Sequence, residues 1–564
     1  MLPNLKSQLA YLLPVFQPII DISATARPSV TLGYATYEGT FDDASNITQF
    51  LGVRYAAPPT NDLRWRPPQP PLQVEGVQQA TAQPPMCIQG GRGQAPFAPA
   101  FTTGLKTTDN ATLLNACTLQ GLCPPEESAP ITADEDCLFL NVYTPGDVGV
   151  NSRAPKPVLV WIHGGGYISG SATGFTGSDV YDGKYPVRRS QGGLVVVIQY
   201  RVGAYGFLAG KDVHAAGAAN AGLLDQQFAL QWVQKHIHKF GGNPSDVTIW
   251  GESAGAGSVY QHILANGGKT TPPLFNTAIV SSNWLPPQSD VEAPIPEAIY
   301  DELVKQTGCA SSQDSLACLR AVDSAVLRRV NADMSVSCFS GTYLFVPVVD
   351  HAFIQEAPSH ALAQRRVNGA HVLSVTNANE GEMFVNTSAG DAFDTPFWLH
   401  NVFPSRITDD EVQQAIGLYS DLAPVDQAIT MLADSVFVCP SYRLMRAIDK
   451  PFKAEFAIDP ALHGYDLPYY FPDVSTLFAK SYNNSAFDGA FASAFTNFAL
   501  AKDPNVKLVR DLTPTWVPWT EDAPVEMLFN RTEAMEPDVH AVKTNGRLME
   551  RCSFWDSIAS SLGQ

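Results

Sequence analysis

One serine in this chain stands where nucleophilic chemistry is possible. The stretch VTIWGESAGAGSV places Gly251-Glu252-Ser253-Ala254-Gly255 directly after an apolar run and before a helical pattern. A sharp strand-to-helix turn lifts a serine hydroxyl clear of a sheet, and glycine is needed on both sides because other side chains would crowd it. The bare G-x-S-x-G spacing arises by chance in roughly one chain of this length in five, so the strand–turn–helix context carries the weight. Acyl transfer also needs donors for the negative oxygen of a tetrahedral intermediate. VLVWIHGGGYISG offers a strand followed by His163-Gly164-Gly165-Gly166-Tyr167, whose glycines let backbone N–H groups approach a carbonyl closely. Gly165 and Gly166, with the amide of Ala254, are the expected oxyanion hole. The other use of such a loop is a phosphate cradle, but no G-K-[S/T] follows it.

A hydroxyl at neutral pH needs a base, and the base needs a carboxylate to orient it. In α/β-hydrolases the chain order is serine, acid, histidine, with the acid in a loop past a core strand. HVLSVTNANEGEMF supplies Glu380, with Glu382 as a competitor. Three histidines follow that segment: His400, His463 and His540. His463 lies in the glycine-containing loop ALHGYDLPYYF after a candidate strand at 454–458 and is favoured by position. His400, in FWLHNVF, reads as a packed histidine, and His540 lies in a polar tail segment.

These groups must be carried by a sheet. Short β-branched runs at 158–162, 194–199, 247–250, 278–281 and 372–376 alternate with helical patterns, as in βαβ units around a parallel sheet buried on both faces. Between the second and third lies AGLLDQQFALQWVQKHIHKF. There Leu224, Phe228, Trp232 and His236 recur at i+4, and Leu223, Leu230 and Val233 widen one apolar face. The expected fold is therefore α/β, with a large, mainly parallel central sheet flanked by helices and bearing long insertions.

The 564 residues show no linker, repeat or low-complexity tract, and 45% hydrophobic with 16% charged residues suits one large core. Residues 27–564 are expected to form a single domain. Residues 9–26 are mostly apolar and end in Ala24-Thr25-Ala26, but Pro14, Gln17, Pro18 and Asp21 interrupt them. Residues 1–26 are accordingly a signal peptide or an N-terminal extension. A net charge of −19 disfavours nucleic acid and anionic lipid, and no apolar stretch reaches the roughly 20 residues of a membrane span. Nine cysteines without zinc-type spacing point to disulfides rather than metal. Sequons beginning at Asn46, Asn110, Asn386, Asn483 and Asn530 suit a glycosylated, secreted protein. No metal and no cofactor is expected.

Longer motifs extend the reading. FGGNPSDVTIWGESAG (240–255) and EDCLFLNVYTP (135–145) resemble the two signatures of the type-B carboxylesterase/lipase family, which includes cholinesterases and fungal lipases and esterases. FLGVRYAAPP, YRVGAYGFL and NAGLLDQQFALQWV fit as well, so the resemblance runs from about residue 30 to about residue 560. It implies an α/β-hydrolase fold and hydrolysis of hydrophobic carboxylic esters through a serine acyl-enzyme. It places the acid on Glu380 and the base on His463. Phe139 stands where tyrosine is commoner, Asp466 where glutamate is common, and His163 precedes the glycines; none of these touches the triad. The alternative of a catalytically inactive adhesion or scaffold protein of the same fold conflicts with the presence of Ser253, Glu380 and His463 together.

The resemblance also implies bridges Cys87–Cys137, Cys309–Cys318 and Cys439–Cys552. Cys117 and Cys123 are then left to pair locally, with Cys338 as a buried thiol. The first bridge would close the loop 88–136, the lid region of similar lipases, where Leu113, Leu114 and Cys117 could form a short apolar face. That loop contains no Trp, so a cation–π site for choline esters is not expected.

Overall fold

The computed structural model describes residues 27–103, 132–146, 154–174, 180–217, 219–508 and 510–564. The N-terminal segment 1–26, the sequon at Asn110, the expected Cys117 and Cys123 pair, Leu113, Leu114 and most of the loop 88–136 lie outside the described residues.

An 11-stranded sheet organises the chain. In chain order its strands are β1 (Thr40–Asp42), β2 (Ile47–Arg54), β3 (Phe139–Pro145), β4 (Lys156–Ile162), β5 (Leu194–Ile198), β6 (Gly242–Glu252), β7 (Thr277–Ser281), β8 (His371–Asn377), β9 (Phe452–Phe456), β10 (Val525–Arg531) and β11 (Pro537–Lys543). Their spatial order is β11-β10-β9-β8-β7-β6-β4-β5-β3-β2-β1. From β5 to β10 every pairing is parallel, and antiparallel pairings close both ends. This mainly parallel sheet flanked by helices is the α/β-hydrolase architecture. The small three-stranded sheet of Ser29–Thr31, Thr36–Glu38 and Val77–Gln79 stands apart from it.

Side chains alternate across the strands, so the sheet separates two cores. Val158, Val160 and Ile162 of β4 join Val196 and Ile249 on one face. Leu159 and Trp161 join Val195, Val197 and Trp250 on the other. Trp161 and Trp250 are register partners whose ring centroids lie 5.3 Å apart, edge to face. Helix α1 (Ala221–His236) covers the first face. Its buried side centres on Leu223, Gln226, Leu230 and Val233, whereas Leu224 and Phe228 of the expected i+4 stripe are only half-buried. The apolar stripe marks one edge of a wider face that also takes in Asp225, whose charge is met by Arg201 at 2.7 Å.

Helix α2 (Ala254–Gly268) leaves β6 immediately after Ser253. Helix α3 (Cys439–Ala447) follows a single π-helical turn, Asp434–Val438. Helix α4 (Ser485–Ala501), capped by Asn484, lays Phe487, Phe491, Phe495 and Phe498 on the second face. Each such ring contributes roughly 1.5–3 kcal/mol of burial. Helix α5 (Gly546–Ser557) is tied to α3 through Cys439–Cys552. Disulfides Cys87–Cys137 and Cys309–Cys318 are also formed, and Cys338 is a buried free thiol pushed up to about 11 by burial. Among the described residues no helix is long and apolar enough to cross a membrane.

The strands expected from sequence coincide with β4 to β8, differing at their ends. The expected strand 454–458 is observed two residues earlier, as Phe452–Phe456. The pairing of Leu373 with Phe452 through Asn377 with Phe456 sets that register. Lys453 hides the strand's start in the sequence, because its charged end is buried against Thr376 Oγ1 at 2.8 Å.

Candidate active site

Strands β5 and β6 lie on opposite sides of β4, so the connections leaving the carboxyl ends of β4 and β6 diverge. Such a switch point opens a crevice at the strand ends. The Gly164–Gly166 loop leaves β4 there, and Ser253 leaves β6. Ser253 adopts φ 58° and ψ −126°, a strained conformation for a residue with a side chain. Its amide donates to Ser281 O at 3.1 Å, and its carbonyl accepts from Gly257 N at 2.8 Å and Trp284 N at 3.3 Å. Gly255 is required by close approach: a Cβ there would collide with the carbonyl of Ile162 at the end of β4. Gly166 has φ +64°, and a Cβ on it would enter the ring of Tyr343.

His463 reaches this turn from the loop after β9, and Glu380 from the loop after β8. His463 Nε2 lies 2.8 Å from Ser253 Oγ, and Nδ1 lies 2.6 Å from Glu380 Oε2. Backbone bonds lace the two loops together: Ala378 N donates to Phe456 O at 3.0 Å and Asn379 N to Ala461 O at 3.0 Å. Asn377 N donates to Glu380 Oε1 at 2.6 Å, while its side-chain amide donates to Ser282 Oγ and Asp466 Oδ1. Phe437, in the π-helical turn, and Phe384 flank the imidazole at centroid distances of 4.7 and 5.2 Å. A π turn at such a position is a common device for presenting a side chain to a site.

Burial by itself would push the imidazole toward its neutral form, but the carboxylates of Glu252 and Glu380 more than reverse this, and the His463 pKa is raised. Glu252 Oε1 stands 3.3 Å from Nε2. Burial drives the Glu252 carboxyl up, against the pull of the imidazolium. Asp466, also raised by burial, accepts from Tyr470 Oη at 2.6 Å.

The amides of Gly165, Gly166 and Ala254 have no acceptor among the described residues. Behind them His163 is buried, with Nδ1 2.9 Å from Gly164 O and its ring stacked on Tyr200. Glu382 is exposed and takes no part in this line of groups. His400 is half-exposed rather than packed, because its helix turns Nε2 toward Asp409 at 3.0 Å; His540 pairs with Asp538 at 2.7 Å. Glu252, Phe384, Phe437 and Tyr343 were not singled out from sequence. Glu252 was within reach there, as the middle residue of the serine motif; the other three are brought in only by folding.

A hydroxyl, an imidazole and a buried carboxylate in one hydrogen-bonded line can pass a proton from the hydroxyl while holding the resulting imidazolium. Sheet order and strand-end turn together define an α/β-hydrolase. The Carboxylesterase family model matches residues 26–555, and the chain belongs to that family. It is 34% identical over 418 residues to secreted lipase 1 of Botryotinia fuckeliana, covering 71% of this chain and 69% of that one. It is 28% identical over 556 residues to carboxylesterase patB of Aspergillus clavatus, covering 94% and 96%. Among solved structures, Aspergillus niger EstA superposes with a TM-score of 0.79 at 28% identity, covering 96% of this chain and 99% of that one.

Proposed function

We propose that the protein is a secreted serine carboxylesterase/lipase that cleaves esters with hydrophobic acyl or alcohol groups. The carrying observation is the unbroken line from Ser253 Oγ through His463 to Glu380, at 2.8 and 2.6 Å. Ser253 Oγ attacks the ester carbonyl carbon as His463 Nε2 takes its proton. The carbonyl oxygen becomes an oxyanion facing the free amides of Gly165, Gly166 and Ala254. Collapse of the tetrahedral intermediate expels the alcohol, which takes the proton from Nε2. Water then attacks the acyl-enzyme with His463 again as base, releasing the acid and restoring Ser253. Glu380 fixes the tautomer and stabilises the imidazolium throughout.

Secretion is supported by the disulfides, by the names of similar fungal proteins, and by exposed sequon asparagines at Asn46, Asn386 and Asn483. Asn530 is half-buried, and its side chain accepts from Arg531 N at 2.8 Å, so it is the weakest acceptor of the four. We read residues 27–564 as one catalytic domain.

The test is Ser253→Ala. It should fold, lose roughly 10⁴–10⁶ in kcat on p-nitrophenyl butyrate, and no longer take up an organophosphate that labels the parent stoichiometrically. Labelling of another serine, or retained turnover, would remove Ser253 from the mechanism.

A further inference from the structure

A cavity of about 140 Å³ shares two walls with the site. Trp284, whose amide donates to Ser253 O, forms one wall. Tyr343, whose ring covers Gly166 and meets Trp284 edge-on at 4.7 Å, forms the other. Phe207, Phe345 and Val436 continue an apolar lining, and neither Ser253 nor His463 contributes to it. The volume is well below the roughly 300–1,000 Å³ of a complete ligand site, so it suits one arm of a substrate. The leaving alcohol must face His463 Nε2 to be protonated. The cavity meets the site instead through Trp284 on the serine turn and Tyr343 on the glycine loop, so the acyl arm is the part of the substrate assigned to it.

Its lining is not wholly apolar. Arg406 lies there, with Nη2 2.5 Å from Ser289 Oγ and Nη1 3.3 and 3.2 Å from the carbonyls of Gln288 and Leu562. No carboxylate pairs with it among the described residues, and burial weakens its hold on its proton with no acid beside it to oppose that. The buried Arg64, Arg201 and Arg443 and the half-buried Arg551 each have a carboxylate partner. Arg406 is thus a half-buried guanidinium that lines the cavity and is satisfied only by neutral acceptors, so its charge is available to an anion. The segment from Trp284 to Ser289 spans at most about 18 Å when fully extended, a distance that a single acyl chain can cross.

We propose that this cavity is a subsite for an acyl arm that carries a carboxylate at its far end, with Arg406 as the anchor. The proposal rests on Ser253 as the acylated residue. It is tested with p-nitrophenyl monoesters of straight-chain dicarboxylic acids, adipoyl to sebacoyl, each set against the methyl-ended acyl ester of equal length. The ratio of kcat/KM, acid-ended over methyl-ended, should exceed one at one chain length. Arg406→Gln should cut that ratio at least tenfold while p-nitrophenyl acetate stays within about twofold, and Arg406→Lys should restore part of it. A ratio below one at every length, or one indifferent to Arg406→Gln, overturns the proposal. Because Arg406→Gln could also loosen the Gln288 and Leu562 contacts, binding is read separately on Ser253→Ala. Suberate should bind there more tightly than octanoate by calorimetry, and equal or weaker binding refutes the subsite. Continued turnover by Ser253→Ala would instead refute the assignment of Ser253, so the two failures are distinguishable.

Discussion

Replacing Glu252 with Gln should move the acid limb of activity to lower pH. Glu252 Oε1 lies 3.3 Å from His463 Nε2, the nitrogen that accepts the serine proton in the proposed mechanism. At an effective dielectric of about 20, two unit charges at that separation attract by about 5 kcal/mol, or nearly four pKa units. That is a ceiling. Burial pushes the Glu252 carboxyl up to about 8, so part of the attraction goes into keeping this acid ionised beside the imidazolium. A fall of at least one unit, about 1.4 kcal/mol, is the corresponding floor. The direction follows from the active form. Only neutral imidazole accepts the proton, so kcat/KM rises with pH through the His463 pKa, and losing a nearby negative charge lowers that pKa. The assay is kcat/KM for p-nitrophenyl butyrate from the ordinary histidine range to beyond the raised His463 pKa of about 9, with the isosteric variant checked for folding by near-UV circular dichroism. Glu380 remains in Glu252→Gln, so the plateau at high pH should stay within about tenfold of the parent. An unmoved limb, or one displaced upward, would show that Glu252 is protonated and electrostatically silent throughout the parent's working range.

Other perturbations separate chemistry from architecture. Glu380→Gln should lower the plateau of kcat by orders of magnitude, up to about 10⁴, while Glu382→Gln should leave it within about twofold; comparable losses in both would unseat Glu380. Gly255→Ala forces a methyl group against the Ile162 carbonyl, backbone that cannot yield, and should destabilise the protein by more than about 4 kcal/mol or abolish soluble expression; a melting temperature near the parent's would show that β4 and α2 can separate. Replacing Cys439 and Cys552 with Ala opens a loop 113 residues long and should remove up to about 5 kcal/mol, with hydrogen exchange rising first in α5. Uniform exchange across α3 and α5 in both forms would mean that packing, not the bridge, holds them.

How much of this was legible in the sequence differs between layers. The central strands stood out because a parallel strand buried on both faces must be apolar throughout, and Leu194–Ile198 and Thr277–Ser281 are fully buried. Lys453 broke that pattern in β9, since its compensation lies in Thr376 and Glu526 on neighbouring strands. Ser253 and the glycine loop were readable because local backbone geometry demands particular residues at short spacing. Chain order narrowed both partners; position already favoured His463 over His400 and His540, whereas Glu380 was separated from Glu382 only by the longer motifs. Phe437 could not have been found, because what brings it to the imidazole is a π-helical turn, and no composition rule marks one.

The same contrast explains why the site is built on strand ends rather than on its loops alone. Glu380 and His463 are 83 residues apart, and each sits on an irregular connection that by itself would be free to wander. Parallel pairing of β8 with β9 brings Asn377 level with Phe456, and the backbone bonds from Ala378 and Asn379 carry that register past the last strand residues. Asn377 then uses its amide for Glu380 and its side chain for Asp466, so two buried acids are oriented by a single residue whose own position is fixed by the sheet. Positive charge on His463 is correspondingly stabilised from several sides, by Glu380, Glu252 and Asp466. In the proposed mechanism such an arrangement favours the imidazolium of acyl transfer, because charge would develop in a site already organised to receive it. It also holds His463 protonated to higher pH, which opposes formation of the neutral base, and it is the sheet register, more than any one loop contact, that sets where this balance falls.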